Sequence, residues 1–323
     1  MTAFSTMDRN LALEAVRVTE AAALSASRLM GRGDEKAADQ AAVDAMRLAL
    51  NGLAIDGTVV IGEGERDEAP MLFIGEKVGT GQGPRIDIAL DPLEGTTITA
   101  KGGSNALAVI AMAEAGGFLN APDVYMDKIA VGAELPDGVV DLDEPPGKNL
   151  RNLARAKKCE VADLVVCILD RPRHSELIAK VREAGARIML ISDGDVSGVI
   201  ATSRPQSGVD IYVGSGGAPE GVLAAAALKC IGGQMQTRLI VDTDEKRERV
   251  AKMGIKDPRK KYEIEDMVSG DCLFAATGVT DGPMLKGVHF GKGVIETETV
   301  VMRSATSTVR WIRAEHRKLD KFA

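Results

Sequence analysis

Aromatic side chains are scarce in this chain: Phe, Tyr and Trp make up 3% of its 323 residues, with one Trp and three Tyr. Its core must therefore be built from Ala, Val, Ile, Leu and Met, and no aromatic–basic interleaving is present to stack nucleic-acid bases. A formal net charge of −7 removes the basic stripe that a nucleic-acid surface needs. Histidine occurs three times, as His174, His289 and His316, without metal-ligand spacing and without a Ser or Cys nucleophile constellation. The four cysteines, Cys159, Cys167, Cys230 and Cys272, form no C-x-x-C pair, which argues against a structural zinc site and fits a reducing, cytoplasmic compartment. No apolar window is long and charge-free enough to span a bilayer, and residues 1–10 lack the basic-then-apolar layout of a secretory leader. The expectation is a cytoplasmic globular protein that engages neither membrane nor nucleic acid.

What the chain does have is 45% hydrophobic residues and 35 glycines, enough for two cores at this length. Apolar residues at helical spacing (Leu11, Ala15, Val18, Ala22, Leu29) predict a helix over 8–30, and a second over 35–53 closed by Asn51-Gly52. Strands are expected at 58–61, 86–90 and 106–111, with a hairpin over 131–140 turning at Pro136-Asp137-Gly138. Pro145-Pro146-Gly147 marks the expected domain boundary, giving an α+β metal-binding domain at 1–147 and an α/β substrate domain at 148–323. In the second half helices (149–156, 174–184, 219–231) alternate with strands (164–169, 187–191, 209–213), and 242–261 reads as a solvated helix and turn. The tail, 273–313, reads as strands again and can return to the first domain. The fold class is thus mixed, α/β with α+β.

The chemistry concentrates where strands end. Asp91-Pro92-Leu93-Glu94-Gly95-Thr96 follows the apolar run Ile86 to Leu90, and Pro92, which cannot donate to a ladder, is expected to stop that strand. Upstream, Gly57 to Gly62 runs into Glu63-Gly64-Glu65-Arg66-Asp67-Glu68; Asp39 lies near a helix start, and Glu220 lies in an expected loop over Gly214–Gly221 at the entry to an apolar helix. Turn chemistry alone can account for any one of these. If Asp39, Glu63, Asp91, Glu94 and Glu220 converge, carboxylates ~4 Å apart repel by about 4 kcal/mol at an effective dielectric of roughly 20, so cations must join them. Oxygen-only ligands select Mg²⁺ or Mn²⁺, two or more per site, and such a site suits phosphate-ester hydrolysis. Glu65 and Asp67 are then placed to orient or deprotonate water, and Thr96 to cap a helix and hold that water or a phosphate oxygen. Arg171 and Arg173, astride Pro172, suit a second phosphate, or are ordinary surface arginines. Asp193 and Asp195 around Gly194 suit sugar hydroxyls or a simple Asx turn; Tyr125 suits a phosphate or a half-buried core position. His174 adjoins the arginines and is a candidate assistant there, whereas His316 is expected at the surface. Gly79-Thr80-Gly81-Gln82-Gly83 follows no clear strand and opens no helix, which disfavours a dinucleotide loop and with it a nicotinamide-dependent oxidoreductase.

Six motifs in order resemble the class II fructose-1,6-bisphosphatases: Gly62 through Leu72, Asp91 through Thr96, Ala121-Pro122-Asp123-Val124-Tyr125-Met126, Arg171-Pro172-Arg173-His174, Ser192-Asp193-Gly194-Asp195-Val196 and Gly216-Gly217-Ala218-Pro219-Glu220-Gly221. The resemblance runs from about Leu11 to Arg313. It implies the layered α-β-α-β-α fold shared with inositol monophosphatases. It also implies Mg²⁺- or Mn²⁺-dependent removal of the 1-phosphate of fructose 1,6-bisphosphate, a gluconeogenic step. By position it implies Asp39, Glu63, Asp91, Glu94 and Glu220 as metal ligands, Asp67 as the water-activating carboxylate, and Glu94, Gly95, Thr96, Tyr125, Arg171, Pro172, Arg173, Asp193, Gly194, Asp195 and Gly217 as substrate contacts. Some members carry Lys where this chain has Arg171. Relatives from photosynthetic organisms also take sedoheptulose 1,7-bisphosphate, some with a long insertion before the Asp-Pro motif; here the segment 79–85 is short. A broader bisphosphatase, an inositol- or nucleotide-phosphate phosphatase and a non-catalytic phosphosugar sensor are the competing readings. The apolar N-terminal helices permit a homo-oligomer, dimer or tetramer.

Overall fold

The computed structural model describes residues 10–64 and 71–317. Contacts divide the chain into two compact units, one of residues 1–118 with 269–323 and the other of residues 119–268. The Pro-Pro-Gly step lies inside the second unit, where Pro146 opens a helix instead of a linker; a proline at the first helical position loses no hydrogen bond.

The first unit contains α1 (Leu11–Ser27), α2 (Glu35–Asn51), β1 (Asp56–Ile61), β2 (Lys77–Val78), β3 (Arg85–Glu94), α3 (Thr96–Lys101) and β4 (Leu107–Glu114). The second contains β5 (Tyr125–Val131), α4 (Pro146–Lys157), β6 (Val165–Leu169), α5 (Ser175–Glu183), β7 (Arg187–Ile191), α6 (Asp195–Ala201), β8 (Ile211–Gly217), α7 (Ala218–Ile231), β9 (Gln234–Leu239), α8 (Asp244–Lys252), β10 (Tyr262–Glu263) and α9 (Ile264–Met267). The chain then adds β11 (Cys272–Gly278), β12 (His289–Gly291), β13 (Val294–Arg303) and β14 (Thr308–His316) to the first unit. This is a mixed α/β chain with two mixed sheets.

The first sheet has eight strands among the described residues, in the order β12-β13-β11-β4-β3-β1-β2, with β14 also paired to β13. Only β1 and β3 run parallel; the other pairs are antiparallel. Helices α1 and α2 pack together against this sheet, with Val18 and Ala22 meeting a core that includes Ile88, Ile110 and Leu273. Alanine-rich packing leaves polar side chains inside, and each finds a partner. Thr277 donates to Thr19 Oγ1 at 2.7 Å and lies 2.8 Å from Thr299 Oγ1, while Thr297 bridges Glu20 at 3.2 Å and His316 Nε2 at 2.9 Å. His316 is therefore buried, not superficial, because the pairing of β14 to β13 brings it to Thr297 and Glu20. Buried polar groups are tolerated when hydrogen-bonded.

The second sheet, β10-β9-β5-β8-β6-β7, has β6, β7 and β8 parallel and β5 antiparallel to β8 and β9. Side-chain alternation splits its two faces. Val166, Ile168, Ile129 and Val131 pack with Leu150, Leu153, Ile178 and Val181 of α4 and α5. On the opposite face, a Cβ placed on Gly198 of α6 would lie 3.2 Å from Cys167 Sγ, and one on Gly221 of α7 would lie 2.3 Å from Met126 Sδ. The expected hairpin over 131–140 is not formed. Instead β5 takes both of its neighbours from distant strands, and Val139 and Val140 turn into the α4–α5 core.

Replacing Thr277 by Val should leave Thr19 and Thr299 short of a partner. The expected cost is about 1–3 kcal/mol, read as a lower midpoint in urea unfolding; an unchanged midpoint would show that these hydroxyls contribute no stability.

Candidate functional site

In the first unit the acids are positioned by neighbouring parallel strands. The register pairs Ile61 of β1 with Ala89 of β3, and two residues further along each strand stand Glu63 and Asp91. Gly62 makes this exit possible, since a Cβ there would meet the Leu72 carbonyl oxygen at 2.0 Å; Glu63 N–H donates to that same oxygen at 3.0 Å. The returning segment is anchored by Glu76, which is buried and accepts from Arg47 Nε at 2.6 Å and from the Leu72 amide. Strand β3 does not stop at Pro92. Asp91 opposes Val109 and Glu94 opposes Leu107, so three residues on β3 span two on β4, and the proline occupies this irregularity, where no ladder donor is required. Asp91 Oδ1 accepts from Leu93 N–H at 3.0 Å, and Glu94 is buried.

Gly95, at φ +96°, is the cap of α3, and Thr96 is its first residue. The expected capping role of Thr96 is thus taken by a glycine backbone, because the turn out of β3 requires a left-handed residue there. The Gly31 and Gly33 amides donate to Thr99 and Ala100 carbonyls at 2.9 Å each, tying the start of α2 to α3. Asp34 caps α2 by accepting from Ala37 N–H at 2.9 Å, and Asp39 follows one turn later. Burial raises the Asp39 carboxyl above the ordinary carboxylate range. Asp39, Glu63, Asp91 and Glu94 accordingly reach one end of the first unit. Among the described residues they form no closed cage of three or more ligands. Glu65 and Asp67 lie outside the described residues.

The second unit collects its groups by the same device. Arg171, Pro172 and Arg173 follow β6, Asp193, Gly194 and Asp195 follow β7, and Glu220 follows β8, all beyond the carboxyl ends of parallel strands. Chain order reverses between β6 and β8, the position at which α/β sheets open a crevice. Tyr125, first residue of antiparallel β5, pairs directly with Gly217 and so stands at this end too. It is 47% exposed, with the Arg173 guanidinium carbon 4.7 Å from its ring centroid. Arg173 also donates from Nε to Ser215 Oγ at 3.1 Å and from an Nη to the Ser215 carbonyl at 2.7 Å. Its charged plane is thereby fixed between an aromatic face and a strand. Arg171 contacts the Ser192 carbonyl and lies 3.5 Å from Asp193 Oδ1.

Two readings change here, and a third gains a partner. His174 does not assist the arginines: it is 3% exposed, its Nδ1 donating to the Leu169 carbonyl at 2.8 Å and its Nε2 accepting from Ser215 N–H at 2.8 Å. Burial pulls its imidazolium below the usual range, so it is a neutral structural link between β6 and β8. The segment 214–217 is the end of β8, not a loop, since Gly214 must lie against the His174 ring (3.2 Å from an added Cβ) while the strand remains paired to β5. Asp195 is a buried ion-pair member, its Oδ2 2.6 Å from Lys128 Nζ. Lys128 was not singled out from the sequence, where no strand was expected over 125–131; the alternation of β5 puts it on the Met126 side.

Glu220 completes this end. Its Oε2 is buried with no hydrogen-bond partner among the described residues, and a Cβ at Gly217 would meet that oxygen at 1.9 Å. Its carboxyl is raised by burial and then by Asp195, against the opposing pull of Lys128. A buried carboxylate oxygen without a donor is the kind of group that a cation completes.

Because the folded chain disfavours charged His174, the unfolded chain binds that proton first as pH falls. Stability from this residue is complete above about 6.5 and is lost below it. A His174→Gln variant should show a shallower fall of Tm between pH 6.5 and 5 than the wild type; an identical slope would remove His174 from the acid response.

With the geometry in place, known proteins can be compared. Residues 9–316 match the family model described as bacterial fructose-1,6-bisphosphatase, glpX-encoded. A D-fructose 1,6-bisphosphatase class 2/sedoheptulose 1,7-bisphosphatase of Synechococcus sp. (strain JA-3-3Ab) is 47% identical over 337 residues, covering 97% of each chain. Fructose-1,6-bisphosphatase 1 class 2 of Escherichia coli (strain K12) is 47% identical over 324 residues, covering 96% of each. Matches of this length and identity place the chain in the family of bacterial, glpX-encoded fructose-1,6-bisphosphatases.

Proposed function

We propose that the chain hydrolyses the 1-phosphate of fructose 1,6-bisphosphate, giving fructose 6-phosphate and inorganic phosphate. The observation that carries this reading is the grouping beyond β6, β7 and β8: a stacked arginine, a second arginine, two aspartates and a donor-less glutamate oxygen at one sheet end. A sugar bisphosphate needs a cationic grip for its distal phosphate and acceptors for its hydroxyls, and this end offers both. Arg171 and Arg173 hold the distal phosphate, with Tyr125 donating from its hydroxyl; Asp193 and Asp195, about Gly194, accept from sugar hydroxyls. Pro172 and Gly217 shape the backbone around them. Glu94, Gly95 and Thr96 contact the reacting phosphate.

The oxygen-only donor set of Asp39, Glu63, Asp91, Glu94 and Glu220 fits Mg²⁺ or Mn²⁺ and not a softer metal. Bound divalent metal supplies Lewis-acid polarisation of the phosphoryl group and a more acidic water. Asp67, with Glu65, orients the attacking water and takes its proton, and Thr96 holds that water in line. Four free cysteines, three of them buried, suit a cytoplasmic enzyme. The dual name of the Synechococcus relative favours sedoheptulose 1,7-bisphosphate as a second substrate, since both sugars present a distal phosphate to the same arginines.

Phosphate release from fructose 1,6-bisphosphate should appear with Mn²⁺ or Mg²⁺ and vanish after chelation; a preparation inactive with both ions would refute the proposal. Arg173→Met should raise KM about ten- to a hundredfold, in line with loss of a charge-assisted contact. Asp67→Asn should bind fructose 1,6-bisphosphate and fail to turn it over. Retained turnover would remove Asp67 from catalysis. Steady-state kcat/KM for the seven-carbon bisphosphate, measured beside the six-carbon one, decides the dual reading.

A further inference from the structure

Lys128 is completely buried, an unusual fate for an ammonium group and one that demands a partner. Strand β5 puts it on the face covered by α6 and α7. Its Nζ donates to Asp195 Oδ2 at 2.6 Å, and Tyr212 Oη lies 3.5 Å from the same oxygen. The surrounding backbone is cut away to admit this pair. A Cβ on Gly216 would fall 2.2 Å from Asp195 Oδ2 and 3.2 Å from Lys128 Nζ, and one on Gly221 would fall 3.3 Å from Lys128 Cε. Lys128 therefore threads between β8 and α7, with Asp195 beside it and Glu220 within its electrostatic reach.

A buried ion pair is a poor way to gain stability, because desolvating both charges offsets their attraction. Here the pair sits under the first residue of α6, where Asp195 is the proposed acceptor for a sugar hydroxyl. We propose that Lys128 is a positioning residue that acts through Asp195: by holding Oδ2 it fixes the carboxylate plane and leaves Oδ1 directed at the substrate hydroxyl. This inference rests on the sugar-bisphosphate reading above. It differs from a purely structural role in predicting that substrate binding, and not only folding, depends on the Lys128 charge.

The test is a double-mutant cycle on the full chain with Lys128→Met, Asp195→Asn and both together. KM for fructose 1,6-bisphosphate and, by calorimetry, Kd for fructose 6-phosphate are measured alongside Tm. Each single variant should raise KM and Kd about ten- to a hundredfold, and the double variant should be no worse than the weaker single, since both remove one interaction. Lys128→Met with wild-type KM and Kd and only a lowered Tm would overturn the proposal, as would multiplicative losses in the double variant. If Lys128→Met does not fold, the neutral double variant is compared with Asp195→Asn: constants within about twofold support the inference, and a wild-type Kd in Asp195→Asn overturns it. A wild-type chain that binds fructose 6-phosphate without turning over the bisphosphate refutes the enzymatic reading while the binding cycle still decides the role of Lys128. A chain that binds neither overturns both.

Discussion

Parallel neighbours carry the chain toward the same end of a sheet, and both groups of candidate side chains in this chain depend on that constraint. Where β1 runs beside β3, Glu63 and Asp91 stand at the same level, Glu63 just past the end of β1 and Asp91 still within β3. Where β6, β7 and β8 run together, an arginine loop, an aspartate loop and a glutamate-bearing helix leave it as neighbours. Antiparallel pairing would have sent consecutive exits to opposite ends. Small parallel patches inside otherwise antiparallel sheets thus let residues far apart in sequence share a location without long loops.

The cost of gathering like charges at strand ends is met locally. Asp195 is matched by a lysine at 2.6 Å. Arg173 is held by ring, hydroxyl and carbonyl. Glu76 occupies Arg47 and keeps the segment after β1 in register. Glu220 keeps a buried oxygen, Oε2, with no hydrogen-bond donor among the described residues. The polar seam under α1 solves a related problem: threonine hydroxyls and His316 satisfy one another between a helix and three strands, and hydrogen bonds of that kind favour one register of helix on sheet over its slipped alternatives.

Much of this was legible from residue order, because apolar runs followed by acid or arginine clusters announce strand ends. The positions of Arg171, Asp193 and Glu220 beyond β6, β7 and β8 follow from alternation of helix and strand alone. What failed did so for identifiable reasons. Strand β5 was obscured because Asp127 and Lys128 break its apolar pattern, and Lys128 is buried only because Asp195, sixty-seven positions away, comes to meet it. Pro92 read as a terminator because a bulge in β3 opposite β4 cannot be seen in local sequence. Gly214-Ser215-Gly216-Gly217 read as a loop because four small residues carry little strand propensity; their pairing to β5 overrides it. His316 looked superficial because its burial depends on Glu20 and Thr297 from other elements.

The two glycines that close β8 leave no room for compromise. With prospective methyl groups 2.2 Å from Asp195 and 1.9 Å from Glu220, backbone bareness at 216 and 217 and carboxylate placement are a single trait. An alanine at either position would evict an acid before it disturbed the strand, so the first loss from an added methyl here is the seat of a charge and not the pairing of the backbone.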